Sequence, residues 1–151
     1  MIQSYRSSGN TPSKMPLPAS ILLFFIYSIL QSTGFAQGQQ LYPKERIGNI
    51  IKHARSYLGT PYKYGGNGRS GLDCSGLIHL VFKSTDPNIP RSSATLAQYP
   101  RGHNIYAMKD LQPGDLVFFK TRSKKIDHVA LVTRRAGGVI SIVHATSRGV
   151  V

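Results

Sequence analysis

Apolar positions along this chain change their spacing from one region to the next. The first apolar stretch, Ile21-Leu-Leu-Phe-Phe-Ile-Tyr-Ser-Ile-Leu30, is continuous, with one serine among ten residues. Farther along, Ile47, Ile50, Ile51, Ala54 and Leu58 recur at helical spacing with Lys44, Glu45, Lys52 and Arg55 between them, which predicts an amphipathic helix that Gly59 and Pro61 end. Tyr62 to Asp73 carries four glycines, reads as a shaped loop and delivers Asp73 and Cys74. Leu77, Ile78, Val81 and Phe82 then mark one flank of a second helix, with Asp73 as its natural N-cap. Residues 83–110 are loop-rich, and Ser92 or Ser93 is placed to cap a short helix through Leu96 and Ala97. After Gln112-Pro-Gly-Asp115 the spacing becomes that of strands: Leu116 to Lys120, His128 to Arg134 and Val139 to Thr146, with Gly137-Gly138 suited to a tight hairpin. Helices first and strands last predict an α+β fold, N-terminal helices packed on an antiparallel β-sheet.

Length and composition narrow the picture. A chain of 151 residues holds one core plus an appendage, since a second core needs roughly another 100 residues. The run Ile21 to Leu30 is too short to span a bilayer, which takes about 20 residues, and fits the apolar region of an export signal, about 7 to 15. Residues 1–14 are polar, and Gly34-Phe35-Ala36 sets small residues where a signal peptidase requires them, so cleavage is expected after Ala36. The expected organisation is a polar extension and signal peptide over 1–36, a linker over 37–43 and a catalytic domain over 44–151. The mature protein is then exported, to the periplasm, the cell envelope or beyond, as a monomer without a stable membrane anchor. Nineteen Lys and Arg against six Asp and Glu give +13, and the part after residue 36 keeps +11 (17 minus 6). That charge favours an anionic partner; export and the absence of a recognisable module argue against nucleic acid.

The single cysteine, Cys74, excludes an internal disulfide and a CxxC motif. At a helix N-terminus, amide dipoles and a neighbouring imidazolium stabilise a thiolate, so Cys74 is expected to be a nucleophile with a lowered pKa. His128 and His144 are the candidate partners. Alternation places His128 with Ala130 and Val132, and His144 with Ile140 and Ile142, so pairing of the two strands brings the imidazoles together with the cysteine helix over the same face. His128 then serves as base and His144 fixes its tautomer, while Asp127 projects to the opposite face. A zinc site from one Cys and two His lacks a fourth ligand at recognisable spacing, and no cofactor is expected.

These residues resemble a family, the NlpC-type, papain-like cysteine peptidases of bacterial cell walls. The resemblance is carried by Gly59-Thr-Pro-Tyr-Lys-Tyr-Gly-Gly66, Leu72-Asp-Cys-Ser-Gly76, Ile89-Pro-Arg-Ser92, Pro113-Gly-Asp-Leu-Val117, Asp127-His-Val-Ala130 and Val143-His-Ala145, in that order. It implies Cys74 as nucleophile, His128 as base and His144 as third polar residue, with Tyr62, Asp73 and Ser75 meeting the substrate. It implies hydrolysis of peptidoglycan stem peptides between D-γ-glutamate and a diamino acid, often meso-diaminopimelate, with anionic wall polymers as further partners. It also implies C-terminal strands beyond the third run, so the sheet is expected to be truncated. A non-catalytic wall-binding module and an acyl- or amidotransferase are the alternatives on the same scaffold.

Overall fold

The computed structural model describes residues 2–5, 44–122 and 124–151. Strand β1 (Ile2–Tyr5) precedes helix α1 (Lys44–Arg55), and a small hairpin, β2 (Asn67–Gly68) and β3 (Gly71–Leu72), leads into α2 (Cys74–Phe82). Then come α3 (Ser93–Leu96), β4 (Gly102–Ile105), a 3-10 turn at Met108–Asp110, β5 (Leu116–Phe119), β6 (His128–Ala136), β7 (Val139–Val143), β8 (Ala145–Thr146) and β9 (Gly149–Val150). The fold is α+β. The main sheet runs β4-β1-β5-β6-β7, antiparallel throughout, and β8 pairs with β9 apart from it.

Each helix follows from its local signals. α1 buries Ile50 and Ala54, and its amide-to-carbonyl ladder runs on as turns through Leu58. Ser92 caps α3, its hydroxyl accepting from the Thr95 amide. The hairpin between β6 and β7 turns on Gly137 and Gly138, whose φ of 56° and 81° admits other residues only with strain.

Apolar residues gather on both faces of the sheet. Leu77, Ile78, Val81 and Phe82 of α2 share the principal core with Val129, Leu131 and Val143, and α1 closes it through Ile50 and Ala54. Leu111, Val117 and Val132 form a second cluster, with Ile105, Phe119, Ile140 and Ile142 packed against it. Successive residues of β6 thus serve opposite faces, as the pleat requires.

Two strands of the main sheet had no precursor in the spacing of apolar positions. β4 and β1 are four residues each, and main-chain pairing, Ile2 against both Ile105 and Val117, defines them rather than a hydrophobic pattern. The apolar run Ile21 to Leu30 and the expected cleavage point lie outside the described residues. The third β-run divides, with β7 ending at Val143 and β8 starting at Ala145. The segment that follows folds back: His144 and Val151 exchange amide-to-carbonyl hydrogen bonds of 3.0 Å each way, and Val150 bridges Gly59 and Thr60.

Candidate active site

Cys74 is the first residue of α2, and Asp73 before it has the extended backbone of an N-cap, φ −96° and ψ 174°. Its carboxylate accepts from the Gly76 amide at 2.7 Å, as the sequence predicts. The same carboxylate accepts from the Gly65 amide, the Ser75 hydroxyl and Arg91. Burial pushes Asp73 up, but Arg91 and the Gly76 and Gly65 amides outweigh it and hold the carboxyl below its ordinary range.

The sulfur lies beside the start of β6. Sγ is 4.0 Å from the Asp127 carbonyl oxygen, one residue before His128, and only 8% of Cys74 is exposed. Burial pushes the thiol above its ordinary value and the Asp73 charge adds to this, while amides of Val129, Ser75 and Cys74 itself pull the other way. The expectation of a lowered thiol pKa is therefore corrected: the helix N-terminus supplies amides, but loss of water from the sulfur wins.

His128 Nε2 and His144 Nδ1 are 2.8 Å apart, with the rings edge to face. For His128 Nδ1 to accept a proton, Nε2 must carry the hydrogen and donate to His144 Nδ1. Burial lowers the pKa of both rings; the His144 charge lowers His128 further and Arg148 lowers His144. Resting thiol and imidazole are thus both neutral at neutral pH.

The packing around sulfur and ring differs from the expected one. His128 pairs with Phe119, their ring centroids 5.7 Å apart, and Phe119 packs with Val132, Ile140 and Ile142 on the second cluster. α2 packs on the other face, against Val129 and Leu131. The helix therefore does not lie over His128's face; Cys74 at its N-terminus and His128 at the start of β6 line the same cavity. His144 sits in the break between β7 and β8 rather than within a strand. Asp127 turns away as expected, accepting from the Thr121 amide and hydroxyl and from the Arg122 amide.

Two cavities meet at the sulfur. One, of about 470 Å³, is lined by Tyr62, Cys74, Phe119, Arg122, His128 and His144 among others. The second, of about 430 Å³, shares Tyr62, Cys74 and Asp127 and extends past Tyr64, Ser75, Arg91 and Ser93. Burial raises the Tyr62 phenol, with the Cys74 and Asp73 charges adding, so it stays protonated and able to donate. Asp73 and Ser75 line the second cavity, but their polar atoms are engaged by the protein: the Ser75 hydroxyl donates to Asp73 and accepts from Arg91. The geometry gives these two a part in holding the loop and helix while they line the cavity. Among the described residues no group of three His, Cys, Asp or Glu side chains is gathered to hold a metal ion.

A buried sulfur sharing a cavity with paired imidazoles, on helices packed against an antiparallel sheet, is arranged for nucleophilic acyl chemistry. The NlpC/P60 family model matches residues 59–151, a span that includes all of these groups. The chain belongs to the NlpC/P60 family. Over 133 residues it is 33% identical to a probable endopeptidase of Haemophilus influenzae, a match covering 85% of this chain and 78% of that protein. It is 31% identical over 139 residues to the gamma-D-glutamyl-L-lysine dipeptidyl-peptidase of Bacillus subtilis, covering 84% of this chain and 46% of that enzyme. The NlpC/p60 domain of the peptidoglycan hydrolase SagA superposes with a TM-score of 0.56 at 27% identity, covering 69% of this chain and 85% of that one. As an NlpC/P60 protein this chain is a cysteine peptidase. Its site holds two cations to which sequence reasoning assigned no role. Arg91 stood inside a recognised motif, where its spacing to Asp73 carried no signal. Arg122 lies in a polar loop indistinguishable from solvated surface.

Proposed function

We propose that this NlpC/P60 protein is an exported endopeptidase that hydrolyses peptidoglycan stem peptides between D-γ-glutamate and meso-diaminopimelate. The observation that carries the reading is the convergence of Cys74, His128 and His144 on one cavity, with the 2.8 Å contact between the rings engaging His128 Nε2 and leaving Nδ1 as the nitrogen for proton transfer. Relatives named for endopeptidase and γ-D-glutamyl-L-lysine cleavage support the linkage.

The chemistry follows from the neutral pair. As sulfur attacks the amide carbonyl, His128 takes the thiol proton and His144 holds the ring in register. The oxyanion receives the Cys74 amide and the Tyr62 phenol. Collapse expels the diamino acid's amine, which takes the proton from His128 and leaves a thioester on Cys74. Water then attacks that thioester, giving a proton back to His128, and the released acid leaves a thiol.

Charge supports the choice of substrate. Three of the six acids, Asp73, Asp86 and Asp115, are buried, the first two against Arg91 and Arg101, and the formal charge of the chain is +13. Arg122 lines the cavity that holds both histidines and forms no ion pair with a described residue. A diaminopimelate side chain ends in a carboxylate as well as an amine, which suits this cation; a lysine side chain offers an ammonium alone.

The test is digestion of purified stem tripeptides in their diaminopimelate and lysine forms, with products identified by mass. Release of the diamino acid supports the reading, and an unchanged tripeptide overturns it. Export is tested by N-terminal sequencing of protein recovered from the cell envelope, with Gln37 expected as the first residue.

A further inference from the structure

Arg91, in the loop before α3, reaches three separate pieces of the site with one planar group. Nη1 donates to Asp73 Oδ1 at 2.8 Å and to Ser75 Oγ at 2.9 Å. Nη2 donates to the Gly66 carbonyl at 2.8 Å and to Asp73 Oδ2 at 3.1 Å. One fork thus joins the glycine-rich loop, the N-cap and the first turn of the nucleophile helix. The carboxylate it holds is only 9% exposed. Gly76 is part of the same arrangement: a Cβ there would meet the Gly66 carbonyl oxygen, Arg91 Nη2 and Asp73 Oδ1, so the fork fits only over a bare backbone.

We propose that Arg91 is a positioning residue for Cys74, fixing the N-terminus of α2 against the Gly66 loop and cancelling the charge of the carboxylate next to the nucleophile. Each function uses a different property of the side chain. The fork geometry sets where sulfur and the Cys74 amide stand relative to His128; the positive charge offsets Asp73. Lysine keeps the second property and loses the first, because a single ammonium cannot engage two carboxylate oxygens, a hydroxyl and a carbonyl in one plane.

The charges around the sulfur are few enough to predict a pH signature. Asp73 and Arg91 stand on the helix and α3-loop side, His128 and His144 on the sheet side, Tyr62 across the cleft, and Asp127 and Arg122 at its rim. Removing Arg91 leaves Asp73 as the unpaired charge next to the thiol, so thiolate forms only at higher pH. Neutralising Asp73 as well removes that effect without restoring the fork.

The experiment compares wild type, Arg91→Lys, Arg91→Gln and Arg91→Gln/Asp73→Asn in the full chain, by stem-peptide hydrolysis and by iodoacetamide labelling of Cys74 from about pH 5 to about pH 9. Arg91→Gln is expected to lower kcat on the order of 100-fold with KM within about threefold, and to move the labelling profile up by about one pH unit. The double variant brings the labelling profile back to the wild-type position or below it while kcat stays low. Arg91→Lys keeps the profile and loses about tenfold in kcat. Wild-type kcat and profile in Arg91→Gln overturn the proposal, as does a rise in KM alone, which marks a substrate contact. Should Arg91→Gln fail to fold, Arg91→Lys decides, and undiminished kcat there overturns it. Labelling needs no peptide, so an error in the assigned substrate leaves that arm intact and separates the two failures.

Discussion

The two sides of the cleft are built on opposite principles. On the helix side, the Asp73 carboxylate accepts from two amides, a hydroxyl and both terminal nitrogens of Arg91, a saturated ionic frame around the nucleophile's N-cap. On the sheet side, two half-buried and uncharged imidazoles share one hydrogen bond, backed by the Phe119 ring. The nucleophile is fixed by charge and the base by burial. The difference assigns the work: the helix side sets distance and carbonyl approach, and the sheet side must change protonation state during turnover, which a saturated ionic frame opposes.

Removing the reacting groups themselves has the largest expected effect. Cys74→Ala and His128→Ala should each lower kcat/KM by about 1000-fold or more while thermal unfolding by circular dichroism stays cooperative, because the sulfur and ring are used chemically. Next is His144→Ala, expected to cost about 100-fold in kcat with little change in KM, since it frees the tautomer of His128 without removing the base. Full activity in that variant would show that the sheet side needs no second ring.

Stability should separate the two sides as well. Asp73→Ala removes a cap and strands Arg91, so a loss of about 2 kcal/mol is expected in urea denaturation. Acidification probes the sheet side. Both histidines have folded pKa values below the ordinary 6.5, so the unfolded chain binds more protons there, and stability falls as pH drops below 6.5. By the same shift kcat/KM stays level through neutral pH and declines only on the acid side of 6.5, in a pH–rate profile. The smallest effect belongs to the rim: Arg122→Gln should lower the preference for diaminopimelate over lysine tripeptides by about fivefold, in competition assays, since exposed ion pairs are weak.

Much of this comparison was legible in the sequence, though unevenly. Asp73 as cap and Cys74 as first helical residue follow from a glycine-rich loop running into an apolar helix flank, because capping is a local matter. The strands of β5 to β7 follow from alternation and the glycine pair. The face of β6 that carries His128 was also readable, yet the packing of α2 on the other face was not, since alternation says which residues share a side and nothing about what covers it. The direction of the thiol shift failed for a related reason: helix dipoles are local, whereas desolvation of Cys74 depends on the whole core around it.

By itself, then, the sequence determined the helices, the strands β5 to β7, the cap and the identity of the chemical groups, all of which depend on neighbours within a few positions. Only the tertiary structure decided that the cysteine and His128 line one cavity although α2 packs on the other face of the sheet, that burial leaves thiol and imidazole neutral, and that Arg91 joins three segments into one support. Those outcomes depend on distances between residues up to 54 positions apart in the chain, Cys74 and His128, which no local pattern encodes.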